Sequence, residues 1–156
     1  PTFGTAIHSR YTITGDGSAT FGTYAGRYGY ISIGDKTIFL IAAHLPVDTR
    51  ANRQAALADI WSLTQLATYD YLIIGGDFNT LTDDDRDDLV DWCDDHGLNR
   101  ANGDFIGWVN TCNVNKAIDN VITSSNVTIR GFRSLGNWYR DLYSDHYPVV
   151  AELVLS

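Results

Sequence analysis

Three short polar motifs stand against apolar runs: Ala43-His44-Leu45, Gly76-Asp77-Phe78-Asn79 and Ser144-Asp145-His146-Tyr147-Pro148-Val149. A charged group inside an apolar run would be desolvated without a partner, so Asp, Asn and His here read as strand ends facing a pocket. Ala117-Ile118-Asp119-Asn120-Val121-Ile122 repeats the arrangement. The four strand ends are expected to bring His44, Asp77, Asn79, Asp119, Asp145 and His146 to one polar pocket. Carboxylates suit Mg²⁺ or Ca²⁺, hard cations that take oxygen ligands. A histidine titrates near neutrality and can move a proton or donate to a phosphate, provided a carboxylate fixes its tautomer. Phosphodiester hydrolysis needs these parts: a cation against the phosphate charge, a base for water, and donors for the developing oxyanion. Asp77, Asn79 and Asp145 are the candidate ligands, His44 and His146 the candidate bases, and Asp119 the natural orienting partner.

Blander readings stand beside these. Gly76-Asp77-Phe78-Asn79 also fits a tight turn whose Asp and Asn bond the backbone. His8 and His96 read as structural, whereas His146 lies between Asp145 and a strand restarting at Pro148. The stretch 83–95 holds eight Asp in thirteen residues and reads as a solvated helix face, with a structural Ca²⁺ as the alternative. The Gly-rich pieces 14–17 and 22–34 lack phosphate-loop spacing and read as turns and strand.

The elements that must position these residues follow from periodicity. Residues 6–13 read as a strand broken by the turn 14–17, and 21–33 as a half-exposed antiparallel strand or hairpin. A turn at 34–36 leads into the buried strand 37–43. Leu57, Ile60, Trp61 and Thr64 recur at helical spacing inside 49–68, and strand 71–75 follows. Thr82 with three Asp behind it reads as a helix cap. The inner stripe of that helix is Leu89, Trp92, Cys93 and His96, with Gly97 at its C-terminal cap. A polar loop over 99–116 and strands at 117–123, 127–133 and 148–155 complete an α/β reading, and no internal repeat is visible.

At 156 residues the chain reads as a single domain, 1–156, long enough to bury roughly 68–70% of its unfolded surface. No apolar run reaches the ~20 residues of a membrane-spanning helix. The net charge is −8, from eighteen Asp and the single Glu152 against nine Arg and two Lys. That balance disfavours tight non-specific nucleic-acid binding, but a metal-bridged phosphodiester contact stays open because the cation brings positive charge. Cys93 and Cys112 are either small buried hydrophobes or, in a secreted chain, a disulfide contributing roughly 3 kcal/mol. The chain begins at Pro1 rather than Met, so an N-terminal portion is expected to have been removed, and an extracellular setting is the working expectation.

Gly4-Thr5-Ala6-Ile7-His8-Ser9-Arg10, His44-Leu45 with Arg50, Arg53 and Gln54, Gly76 to Asn79, Thr111, Ile118-Asp119 and Ser144-Asp145-His146 form an ordered series. Over most of its length the chain thereby resembles the endonuclease/exonuclease/phosphatase superfamily, in particular its pancreatic deoxyribonuclease-like members. The resemblance implies a layered α/β sandwich of mixed, mostly antiparallel sheets, here an N-terminally truncated version of a four-layer sandwich. It implies that His146 acts at the scissile phosphate, Asp119 pairs with it, Asp77 positions the attacking water and Asn79 stabilises the phosphorane. His44 would be the second active-site histidine and Asp145 a metal ligand, and Arg50 and Arg53 would contact substrate phosphate.

The implied activity is that of a Mg²⁺-dependent phosphodiesterase cleaving DNA, with Ca²⁺ or Mn²⁺ as alternative ions. A sphingomyelinase-type phospholipid phosphodiesterase is the enzymatic alternative, because the run from Tyr143 to Val149 fits that branch equally well. A non-catalytic assembly module that keeps the fold is the other. The family's N-terminal Asn strand and its Gln-Glu strand are not present, and Glu152 lies inside the final strand. The chain is therefore expected to need a missing N-terminal segment or self-association, and to be weak or inactive alone.

Overall fold

A computed structural model describes residues 4–104, 107–136 and 144–156. Tyr143 of the final motif and residues 105–106 of the polar loop lie outside the described residues. The chain divides into two compact units, Pro1–Asn79 and Thr80–Ser156.

The first unit is a sheet flanked by one helix. Strands β1 (Thr14–Phe21), β2 (Tyr24–Ile33) and β3 (Lys36–His44) form an antiparallel meander, and β4 (Tyr71–Asp77) pairs parallel to β3. A parallel pair needs a crossover, which helix α1 (Arg50–Leu66) supplies. Thr49 caps α1 by accepting the Asn52 N–H, and Ala56, Leu57, Ile60 and Thr64 form its buried face. Trp61, expected in that stripe, is half-buried instead. Asp59 Oδ2 accepts the Gly22 N–H at 2.8 Å, tying the helix to the β1–β2 turn. Phe21, Ile38, Phe39, Leu45, Ile60, Leu72, Ile74 and Phe78 are the largest fully buried side chains of this unit's core.

A second expectation for this unit fails. Residues 6–13 form no strand; β1 starts at Thr14, and the expected turn lies inside it. Gly15 adopts φ 55° where the β1–β2 register shifts between Thr14 and Gly17, so the glycines make a bulge. An extended segment becomes a strand only when a neighbouring strand takes its hydrogen bonds, and among the described residues 6–13 has none.

The second unit opens with α2 (Asp83–Asp95), started by a reciprocal cap: Thr82 Oγ1 accepts the Asp85 N–H and Asp85 Oδ2 accepts the Thr82 N–H. Leu89 and Cys93 point inward, Trp92 and His96 are half-buried, and Gly97 ends the helix at φ 62°. Antiparallel pairs β5 (Leu98–Arg100) with β6 (Asp119–Ser124), and β7 (Val127–Ser134) with β8 (Val149–Leu155), follow. The result is a mixed α/β protein with mostly antiparallel sheets, as expected. Cys93 and Cys112 are separate buried thiols. Burial pushes the Cys93 thiol up to about 12, against the opposing pull of the Arg100 guanidinium. Arg100 is itself held by Asp94 at 2.9 Å and Asp104 at 2.6 Å, and these bonds keep its pKa raised although burial opposes the charge. Two acids of the Asp-rich stretch thus have structural tasks: Asp85 in the cap and Asp94 on Arg100.

Candidate functional site

In the first unit the chemistry sits where β3 and β4 end together. The parallel register places His44 opposite Asp77, with Nε2 3.6 Å from Oδ2. Asp77 then organises the turn behind it. Its carbonyl accepts the Leu45 N–H at 2.8 Å and its Oδ1 accepts the Asn79 N–H at 2.8 Å. Asn79 closes the loop by donating Nδ2 to Leu45 O at 2.7 Å. It does so at φ 50°, a left-handed conformation that Asn tolerates better than most residues. The turn chemistry and the strand-end reading of this motif are therefore both present. Gly76 is required by packing, because a Cβ there would lie 1.8 Å from Ala43 O. Tyr24, which no sequence signal singled out, meets the His44 ring edge-on at a centroid distance of 4.9 Å.

The two candidate arginines differ in placement. Arg50 is exposed at the start of α1, whereas Arg53 Nη1 donates to Pro46 O at 3.4 Å and Val47 O at 3.3 Å. Arg53 thus braces the loop after His44.

In the second unit, Asp119 opens β6 rather than following a strand, so its expected carboxyl-end position is corrected. His146 precedes β8, and its Nδ1 lies 3.0 and 3.1 Å from the two Asp119 carboxylate oxygens. An ionised carboxylate only accepts, so in this contact the imidazole donates from Nδ1. Thr111 holds both members. Its Oγ1 accepts the N–H groups of Ile118 at 3.1 Å and Asp119 at 2.9 Å, while its carbonyl accepts the Tyr147 N–H at 2.7 Å. Ser144 Oγ accepts the His146 N–H at 3.0 Å, and Asp145 O accepts the Asn113 N–H at 3.0 Å. The Asp145 residue itself is exposed. Ser144 acts through a local turn that its sequence position alone does not reveal.

A hard cation takes six or more oxygen ligands, or fewer with several waters. Among the described residues no group of three or more His, Cys, Asp or Glu side chains is close enough to hold a metal ion. Asp77, Asn79 and Asp145 each have donor chemistry suited to such a cation.

The sequence model of the Endonuclease/Exonuclease/phosphatase family matches residues 1–146, and the chain belongs to that family. Its members are hydrolases of phosphoester bonds and are generally divalent-metal dependent. Comparison with curated protein sequences gives no match. Among solved structures, the fold is similar to a humanized TDP2 of D. rerio, with TM-score 0.74 at 16% identity, covering 93% of this chain and 68% of that one. It is also similar to an endonuclease/exonuclease/phosphatase from Bacteroides vulgatus, with TM-score 0.73 at 12% identity over 94% of this chain and 67% of that one. The human Nocturnin catalytic domain gives TM-score 0.68 at 18% identity, over 94% and 61%. The chain spans between 56% and 69% of the length of such structures.

Proposed function

We propose that the chain is a phosphodiesterase module whose first substrate is DNA, and that Mg²⁺ is its ion, with Ca²⁺ and Mn²⁺ as the alternatives to assay. The observation that supports this best is the Asp119–His146 pair, in which a carboxylate lies 3.0 Å from Nδ1 and orients the imidazole. In this reading His146 Nε2 takes a proton from the attacking water or returns one to the leaving oxygen. In the first unit the Asp77 carboxylate orients a water molecule, with His44 beside it and Asn79 fixing its turn. Asn79 carries a second amide hydrogen that can be offered to the phosphorane. Arg50 adds positive charge for the substrate phosphate, and Asp145 is the exposed carboxylate offered to the cation. A complementary segment or a second copy of the chain completes the cation site.

Plasmid nicking tests this reading. Mg²⁺-dependent nicking, abolished by EDTA and by His146→Ala, is the expected result. Nicking that survives either change would overturn it.

A non-catalytic assembly role is the alternative to test. Its marks would be self-association together with a melting temperature indifferent to divalent ions.

A further inference from the structure

Asn102 lies in the loop after β5 and is fully buried, yet the proposed chemistry gives it no task. Its side chain makes three hydrogen bonds. Oδ1 accepts the Val109 N–H at 2.7 Å, and Nδ2 donates to Val109 O at 3.0 Å and to Asp119 O at 3.1 Å. Asn120 grips its backbone reciprocally: the Asn102 N–H donates to Asn120 Oδ1 at 2.9 Å, and Asn120 Nδ2 donates to Asn102 O at 2.8 Å. Both donors of the Asn102 amide are therefore engaged, in a place where an unmade bond is costly.

The bond to Asp119 distinguishes this network from ordinary loop fastening. Asp119 donates its own N–H to Thr111 Oγ1 at 2.9 Å. The backbone of the residue that orients His146 is thus gripped on one side by Thr111 and on the other by Asn102. Its carboxylate is left to the imidazole. A functional pair has to be held to within about half an ångström by groups that are themselves locked. Two hydrogen bonds between the Asp119 backbone and the buried side chains of Thr111 and Asn102 supply that lock.

We propose that Asn102 is a positioning residue for the Asp119–His146 pair, setting the direction from which the carboxylate meets Nδ1. The proposal rests on reading that pair as acid–base machinery. Removing the Asn102 amide frees the Asp119 carbonyl, lets the peptide plane turn, and loosens the carboxylate against the ring. Loss of the hydrogen-bond partner of a metal ligand typically costs roughly 10- to 100-fold in activity, and a fall of similar size is expected here.

The test compares Asn102→Ala, Asn102→Asp and Asn99→Ala. Asn102→Asp keeps size and the acceptor for Val109 but removes both donated bonds. Asn99→Ala is the control, because Asn99 Nδ2 ties β5 to β7 through Val127 O at 3.1 Å. The first readout is the ¹⁵N signal of the His146 ring at one fixed pH; the second is kcat and KM on a phosphodiester. The Asn102 variants are expected to lose the pure Nδ1–H signature and to lower kcat roughly 10- to 100-fold with KM little changed. Asn99→Ala is expected to lower the melting temperature without moving either. Unchanged ring signals in a folded Asn102→Asp, or equal changes in Asn99→Ala, would overturn the proposal. If the buried carboxylate of Asn102→Asp prevents folding, Asn102→Ala decides on the same terms, and unchanged ring signals there would overturn the proposal. If the wild-type chain hydrolyses nothing, the proposed function falls, and the ring signals alone decide the role of Asn102.

Discussion

Each unit sets a histidine beside an aspartate, and the two pairs are built by different means. His44 and Asp77 end adjacent parallel strands and face each other across the ladder. A ladder fixes backbone spacing near 4.8 Å but leaves side chains to meet as they can, and here Nε2 and Oδ2 stand 3.6 Å apart. Asp119 and His146 instead come from a strand start and a loop, 27 residues apart in sequence, and approach to 3.0 Å. Side-chain clasps from Thr111 and Ser144 bring them to hydrogen-bond distance. Regular structure places charge in a neighbourhood; irregular structure, pinned residue by residue, brings two side chains to hydrogen-bond distance.

The largest expected effect sharpens that contrast. His146→Ala should lower kcat roughly 10²- to 10⁴-fold, and His44→Ala about tenfold less than that. Equal losses in steady-state assays would mean that the two pairs do equivalent work. Gly76→Ala attacks the ladder itself. Its Cβ would be forced against Ala43 O, and urea unfolding should show a loss of about 3 kcal/mol or more. A neutral result would mean that β3 and β4 can separate without penalty, and that the register does not govern the His44–Asp77 spacing.

Thr111→Val attacks the clasp while keeping the shape. It leaves the N–H groups of Ile118 and Asp119 without their acceptor, at a cost of about 1–3 kcal/mol. Because the clasp aims the second pair, kcat should fall along with stability. A stability loss with kcat intact would separate the clasp from the pair.

The smallest effect lies away from both pairs, in the first unit. Asp70 accepts the Thr37 N–H at 2.8 Å and faces Lys36, and the backbone hydrogen bond above all holds its carboxyl below the ordinary value. A depressed carboxyl contributes stability that is present above its ordinary pKa of ~3.9 and is lost as pH falls through the folded value. The stability difference between wild type and Asp70→Asn should therefore stay level from about pH 8 to about pH 5 and shrink in more acid solution. A difference that grows on acidification would contradict this sign.

Legibility in the sequence followed the range of the forces involved. Helices α1 and α2 could be read because caps and 3.6-residue stripes are local, and Thr49 and Thr82 start them as their side chains dictate. Strands β3 and β4 were legible because a buried parallel pair needs continuous apolar runs. Residues 6–13 misled because their composition suits a strand while a strand also needs a neighbour. Gly15 and Gly17 were legible as exceptions but not as a bulge, since a bulge exists only relative to the partner β2.

The sequence by itself determined the chemical inventory: which carboxylates and imidazoles end apolar runs, in an order shared with one family. Tertiary structure decided what that inventory does. It placed Asp119 at the head of its strand, committed Arg53 to the carbonyls of Pro46 and Val47, and buried Asn102 against the Asp119 carbonyl. The physical reason is that hydrophobic periodicity is written along the chain, one residue after the next. A hydrogen bond between residues many positions apart depends on angles and distances that exist only once the chain has folded.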